Sequence, residues 1–262
     1  MKKEIVIKSS HNDDMRTDIY IPSLPKENLP LIIFLHGFKG FKDWGGFPYL
    51  LEKISEKGFI TVAFNFSYNG VEDDLMSFTR LDKFAENTFS RELDDLNDVI
   101  NYFEKNSHEY NADFSKLTLL GHSRGGGIAI LKAAEDSRVR RLITLAAVSE
   151  FNRYSEERKM EWKKRGYLEV LNTRTRQKMR MNYTLLEDLE KNSKRLNILK
   201  SVSKIKIPFL ILQGKEDLAV DYSEAEAIYN ASDKTLTNLI MIEHTGHTFG
   251  IVHPFAGTNP YF

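Results

Sequence analysis

Gly121-His122-Ser123-Arg124-Gly125 sets a serine between an apolar run, "KLTLLG", and a glycine-opened helical pattern, "GGIAILKAAED". A serine at such a corner can serve as a nucleophile. The sharp strand-to-helix turn exposes its hydroxyl, and the flanking glycines are needed because a Cβ would strike the neighbouring strand or helix. A hydroxyl is a weak nucleophile without a base to accept its proton and a carboxylate to orient that base. Where a serine sits on such a turn in a parallel sheet, the partners follow in the order acid, then histidine. "FLILQGKEDLAV" carries Asp217 just beyond one apolar run, and "LIMIEHTGHTFG" carries His247 just beyond the next. Glu216 adjoins Asp217, and Asp221 stands where the following helix should start, a position that suits an N-cap. His244 competes with His247. It falls at the end of the run and would be held close to the sheet, whereas a loop containing Gly246 can carry His247 over the serine, so the reach required of a general base favours His247. His253 reads as structural or as part of a pocket rim, and His11 and His108 as solvated residues among turns.

Acyl transfer also needs backbone N–H groups aimed at the oxygen on which negative charge develops. One candidate is the amide of Arg124, next after the serine. The other is the amide of Phe38, in the loop after "LIIFLHG", where His36 and Gly37 would shape the turn.

These residues must be held by a common frame. "KEIVIKSS" and "MRTDIYIP", joined by "HNDD", predict a β-hairpin. "LPLIIFLHG", "FITVAFNF", "KLTLLGHS", "VRRLITLAAV", "IKIPFLILQG" and "TNLIMIEH" are apolar runs of the kind found in strands covered on both faces. Helical patterns lie between them: "FPYLLEKISEKG", "SRELDDLNDVINYFEKN" with Leu93, Leu96, Ile100 and Phe103 on one face, "GGIAILKAAED" and "YSEAEAIYNAS". Strands alternating with helices across short connections predict an α/β fold, a mostly parallel twisted sheet with helices on both faces. Ser123, Asp217 and His247 would then share the edge at the strands' C-terminal ends, where open α/β sheets bind ligands.

Residues 150–200 interrupt the alternation. With 14 Lys and Arg against 8 Asp and Glu, they read as a helical cap inserted into a core made of 1–149 and 201–262. Residues 69–98 hold nine acids and three bases, so a neutral chain of 37 basic and 37 acidic residues carries two opposed patches. A basic lid could attract acidic substrates; alternatively the two segments face each other or are solvated surfaces. Phe151, Tyr154, Trp162, Tyr167 and Tyr183 could wall an acyl pocket or form the cap's own core. Net charge gives no reason to expect nucleic-acid binding, and no run approaches the roughly 20 apolar residues that span a membrane. With no cysteine there is no disulfide, thiol nucleophile or Cys-based zinc site, and the expectation is a cytoplasmic protein without a metal.

"FLHGFKG", "GHSRGG", "GKED" and "GHTF" together resemble the α/β-hydrolase superfamily, and most closely its dienelactone-hydrolase-like and cinnamoyl or feruloyl esterase-like serine hydrolases. The resemblance runs from about residue 1 to 255, with the cap similar only in position. It implies Ser123 as nucleophile, Asp217 as acid, His247 as base, an oxyanion hole from the Phe38 and Arg124 amides, no cofactor, and a small-molecule ester as substrate. A serine peptidase or thioesterase would use the same residues, and a non-catalytic relative would lack one of them. Members of the superfamily usually close with a helix after the histidine. Here only "TFGIVHPFAGTNPYF" remains, so a sheet face stays open or a second chain covers it in a homo-oligomer.

Overall fold

The computed structural model describes residues 1–23 and 28–262. Strands β1 (Lys2–Lys8), β2 (Asp14–Tyr20), β3 (Leu29–Leu35), β4 (Ile60–Phe64), β5 (Ala112–His122), β6 (Arg141–Leu145), β9 (Phe209–Gly214) and β10 (Thr237–Ile242) form one sheet in the order β1-β2-β4-β3-β5-β6-β9-β10. The N-terminal hairpin is antiparallel, and β2 joins β4 antiparallel. From β4 to β10 every pairing is parallel. The central strands are buried where their apolar runs are unbroken: all five residues of β4, residues 31–35 of β3 and residues 117–122 of β5.

Helices α1 (Phe47–Glu56), α2 (Leu81–Ala85), α3 (Phe89–Asn106), α4 (Arg124–Glu135) and α8 (Tyr222–Ala231) connect these strands. The stripe on α3 is buried as its spacing demands, and Thr88 caps the helix by accepting from the Arg91 N–H at 3.2 Å. One core cluster joins α3, α4 and α8 to the sheet. The opposite face is covered by Phe47 and Leu51 of α1 and by the C-terminal tail, through Phe249 and Phe262. The tail thus covers part of this face. Further along the same face Ile143, Leu212 and Ile242 stay only partly buried, and Ile240 is exposed.

The expectation of helices throughout residues 150–200 is corrected. After α5 (Glu156–Arg165) come β7 (Tyr167–Asn172) and β8 (Gln177–Asn182), an antiparallel pair separate from the main sheet; α6 (Thr184–Lys191) and α7 (Ile198–Val202) follow. In the hairpin Leu168, Asn172, Met179 and Met181 are buried while Leu171, Lys178 and Arg180 are exposed. Only one face of two six-residue strands is covered, and that face includes an asparagine, so no apolar run marks it. Trp162 fills the space beside it, donating from Nε1 to the Met181 carbonyl at 2.9 Å. The two charged segments do face each other, but each contact has at least one neutral partner. Gln177 exchanges two hydrogen bonds with the Phe78 backbone at 2.9 Å, and Asp188 accepts from the Ser90 N–H and hydroxyl. Among the described residues no ion pair links them.

Candidate active site

Ser123 lies at the turn between β5 and α4 with φ 56° and ψ −121°, a left-handed backbone that a serine adopts only under constraint. Its neighbours supply the constraint. A Cβ on Gly121 would run into the Gly125 carbonyl and the Gly126 Cα, and one on Gly125 would lie 2.5 Å from the carbonyl oxygens of both Leu35 and His36. The glycines let α4 start against β5 and beside the end of β3, which brings the Arg124 amide next to the loop holding Phe38. Gly125→Ala forces the start of α4 away from the end of β3. It is expected to cost about 1–3 kcal/mol, the range for overpacking, read as a lowered thermal midpoint; an unchanged midpoint would show that the turn relaxes freely.

Asp217 and His247 come together as their strand positions suggest. Asp217 is 4% exposed. Its Oδ2 accepts from His247 Nδ1 at 2.8 Å and from Gln213 Nε2 at 3.1 Å, and its Oδ1 from the Ala219 and Val220 amides at 2.8 and 2.9 Å. Burial by itself would raise this carboxyl, but the hydrogen bond and electrostatic pull of the His247 imidazole outweigh it with the help of the two amides, and the group is held below the usual carboxylate range. The bond from Nδ1–H leaves His247 Nε2 as the acceptor nitrogen. His244 sits outside this cluster, exposed, with Nδ1 3.3 Å from Glu216 Oε1. Asp221 caps α8, accepting from the Ser223 N–H at 2.9 Å. His253 accepts from the Gly45 N–H and lies against Phe41 and Trp44.

Ser123 and His247 line two cavities in common, of about 450 and 310 Å3. Ser123 Oγ makes no hydrogen bond among the described residues; in sites without a bound substrate, catalytic hydrogen bonds are often long and tighten only in the complex. Phe38 borders both cavities, and its N–H has no acceptor among the described residues. Arg124 is the first residue of α4, where N–H groups lack intrahelical partners. His36 braces this loop as the neutral tautomer, donating from Nδ1 to the Gly37 carbonyl and accepting from the Phe66 N–H at Nε2; burial pushes it down to about 4.

His122 has a role that its residue type alone does not reveal. It is buried, its ring centroid lies 4.8 Å from that of His247, and its Nε2–H donates to the His247 carbonyl at 2.9 Å. Burial, and then the neighbouring His247, push it down to about 3, so it stays neutral and tethers the loop that carries His247. Its place immediately before the serine was the available signal, because a side chain there leaves the last residue of β5.

Four aromatic rings, Phe38, Phe89, Phe151 and Tyr154, wall the larger cavity, with Phe89 and Phe151 stacked at 4.1 Å. The cap aromatics therefore divide. Phe151 and Tyr154 face the cavity, Trp162 belongs to the cap's core, and Tyr167 lies beneath Arg165 and Arg180. Among the described residues no three His, Asp or Glu side chains gather to hold a metal ion, and no helix is long and apolar enough to cross a membrane.

The family model described as BD-FAE matches residues 17–231. A "probable isoprenylcysteine alpha-carbonyl methylesterase" of Oryza sativa subsp. japonica is 28% identical over 130 residues, 47% of this chain and 27% of that relative. The chain spans about half or less of the length of the curated relatives it matches. Est1E of Butyrivibrio proteoclasticus, solved with ferulic acid bound, superposes with a TM-score of 0.73 at 20% identity, covering 93% of this chain and 90% of that one. The esterase domain of a Rhodothermus marinus protein gives 0.64 at 16% identity, covering 95% and 91%. The fold shared with these structures is the α/β-hydrolase fold.

Proposed function

We propose, on the footing that this chain belongs to the BD-FAE family, that it is a serine hydrolase cleaving a carboxylic ester through an acyl-enzyme. The observation that carries the reading is the 2.8 Å bond between Asp217 and His247 Nδ1, beside cavities that His247 shares with a serine on a strained turn. His247 Nε2 takes the Ser123 proton as Oγ attacks the carbonyl carbon. The oxyanion accepts hydrogen bonds from the Phe38 and Arg124 amides. The intermediate collapses as His247 gives its proton to the leaving alcohol, and a water activated by the same nitrogen then releases the acid and frees Ser123. Asp217 holds the productive tautomer and stabilises the imidazolium. The aromatic walls of the larger cavity suit an aromatic or apolar acyl group, and the ferulic acid bound to Est1E is of that kind.

Methyl cinnamate, its thioester and its anilide form the test. Turnover of the ester with the greatest kcat/KM is the expected result. Faster cleavage of the thioester or the anilide would assign the same residues to thioester or amide chemistry instead.

A further inference from the structure

Four cations border the two cavities beside Ser123: Lys39, Arg124, Arg153 and Arg174. Two of them are compensated. Arg124 Nη1 lies 3.3 Å from Glu92 Oε1, with its guanidinium between the rings of Phe38 and Phe89, and Arg153 Nη2 lies 2.9 Å from Glu224 Oε1. The other two form no ion pair among the described residues. Lys39 Nζ donates to the Leu171 carbonyl at 3.3 Å. Arg174 Nη1 donates to the Met76 carbonyl at 3.0 Å, while its Nη2 is buried with no acceptor. Burial lowers the Lys39 ammonium, and the charge of Arg124 acts in the same direction. Burial likewise lowers the Arg174 guanidinium, against the pull of the exposed Asp74.

Both lie on the smaller cavity, which also reaches Ser123 and His247. Lys39 comes from the loop that carries the Phe38 amide, and Arg174 from the turn of the β7–β8 hairpin, so two elements far apart in the chain converge there. Both side chains are partly buried; a partly desolvated cation without a paired acid is disfavoured, and so is a buried N–H without an acceptor such as Arg174 Nη2. A ligand anion removes both costs at once, and a planar guanidinium matches a carboxylate in particular.

We propose that the smaller cavity receives a carboxylate borne by the substrate, with Lys39 and Arg174 as its counter-ions, so that the enzyme prefers esters that carry a free acid. This rests on the serine-hydrolase reading above.

Two matched pairs test it. Monomethyl terephthalate against methyl para-carbamoylbenzoate sets the charge on the acyl side, and para-acetoxybenzoate against para-acetoxybenzamide sets it on the alcohol side. The wild type is expected to favour the carboxylate in one pair by about 10- to 100-fold in kcat/KM, mostly through KM, as befits hydrogen bonds to a charged group. That ratio should fall towards one in Arg174→Gln and in Lys39→Gln, and Arg174→Lys should recover part of it. Because each ratio compares two substrates on the same protein, a loss of folded enzyme cancels. Ser123-dependent hydrolysis with no carboxylate preference in either pair overturns this inference and leaves the serine-hydrolase reading standing. A preference that survives both glutamine variants overturns the assignment to these two residues. No Ser123-dependent hydrolysis of any of the four esters overturns both readings.

Discussion

Ser123→Ala is expected to lower kcat for ester hydrolysis by about 10^6-fold, the loss seen when the nucleophile of such a constellation is removed. The fold should persist. The left-handed turn at residue 123 is imposed by the packing of Gly121 and Gly125 and not by the serine hydroxyl, which makes no hydrogen bond among the described residues. Alanine meets the same backbone constraint with one polar atom fewer. What survives should be the slow background supported by substrate binding and the Phe38 and Arg124 amides, roughly 10^3- to 10^4-fold above water. Rates measured on protein with an unchanged near-ultraviolet circular dichroism spectrum check this, and activity within tenfold of wild type would remove Ser123 from the mechanism.

His247→Ala is expected to cost about as much, since nucleophile and base act as a unit and neither works alone. The informative comparison is with His244→Ala. His244 sits three residues earlier and pairs with Glu216 at 3.3 Å on an exposed surface, where such pairs contribute about 0–1 kcal/mol. His244→Ala should therefore keep kcat close to wild type. A collapse of activity in His244→Ala with His247→Ala still active would reverse the assignment of the base.

Much of this arrangement is legible in the sequence. The apolar runs that become β5, β9 and β10 each end at the residues of interest, and in a parallel sheet such ends fall on one edge, so Ser123, Asp217 and His247 could be placed together from strand order alone. Asp221 could be recognised as a cap because an aspartate preceding a helical pattern has a local job to do. Other features depend on tertiary contacts that leave no local trace. The hairpin in 150–200 hides among charged residues because only one of its faces is covered. His122 gains its role from a carbonyl 125 residues away. Arg174 is one of 14 basic residues in its segment, and only the fold sets it on the cavity beside Ser123, with a buried N–H and no acid partner among the described residues. The tail after His247 lacks a helical pattern, yet Phe249 and Phe262 still pack on the sheet and on α1.

The central claim is that Ser123 is an activated nucleophile. Mass spectrometry of the intact and digested protein after exposure to a fluorophosphonate probe, for wild type beside Ser123→Ala, tests it most directly. The expected result is a single adduct on the wild type, located on Ser123, and none on the variant. An unmodified wild type that is folded, or an adduct on any other residue, would contradict the account.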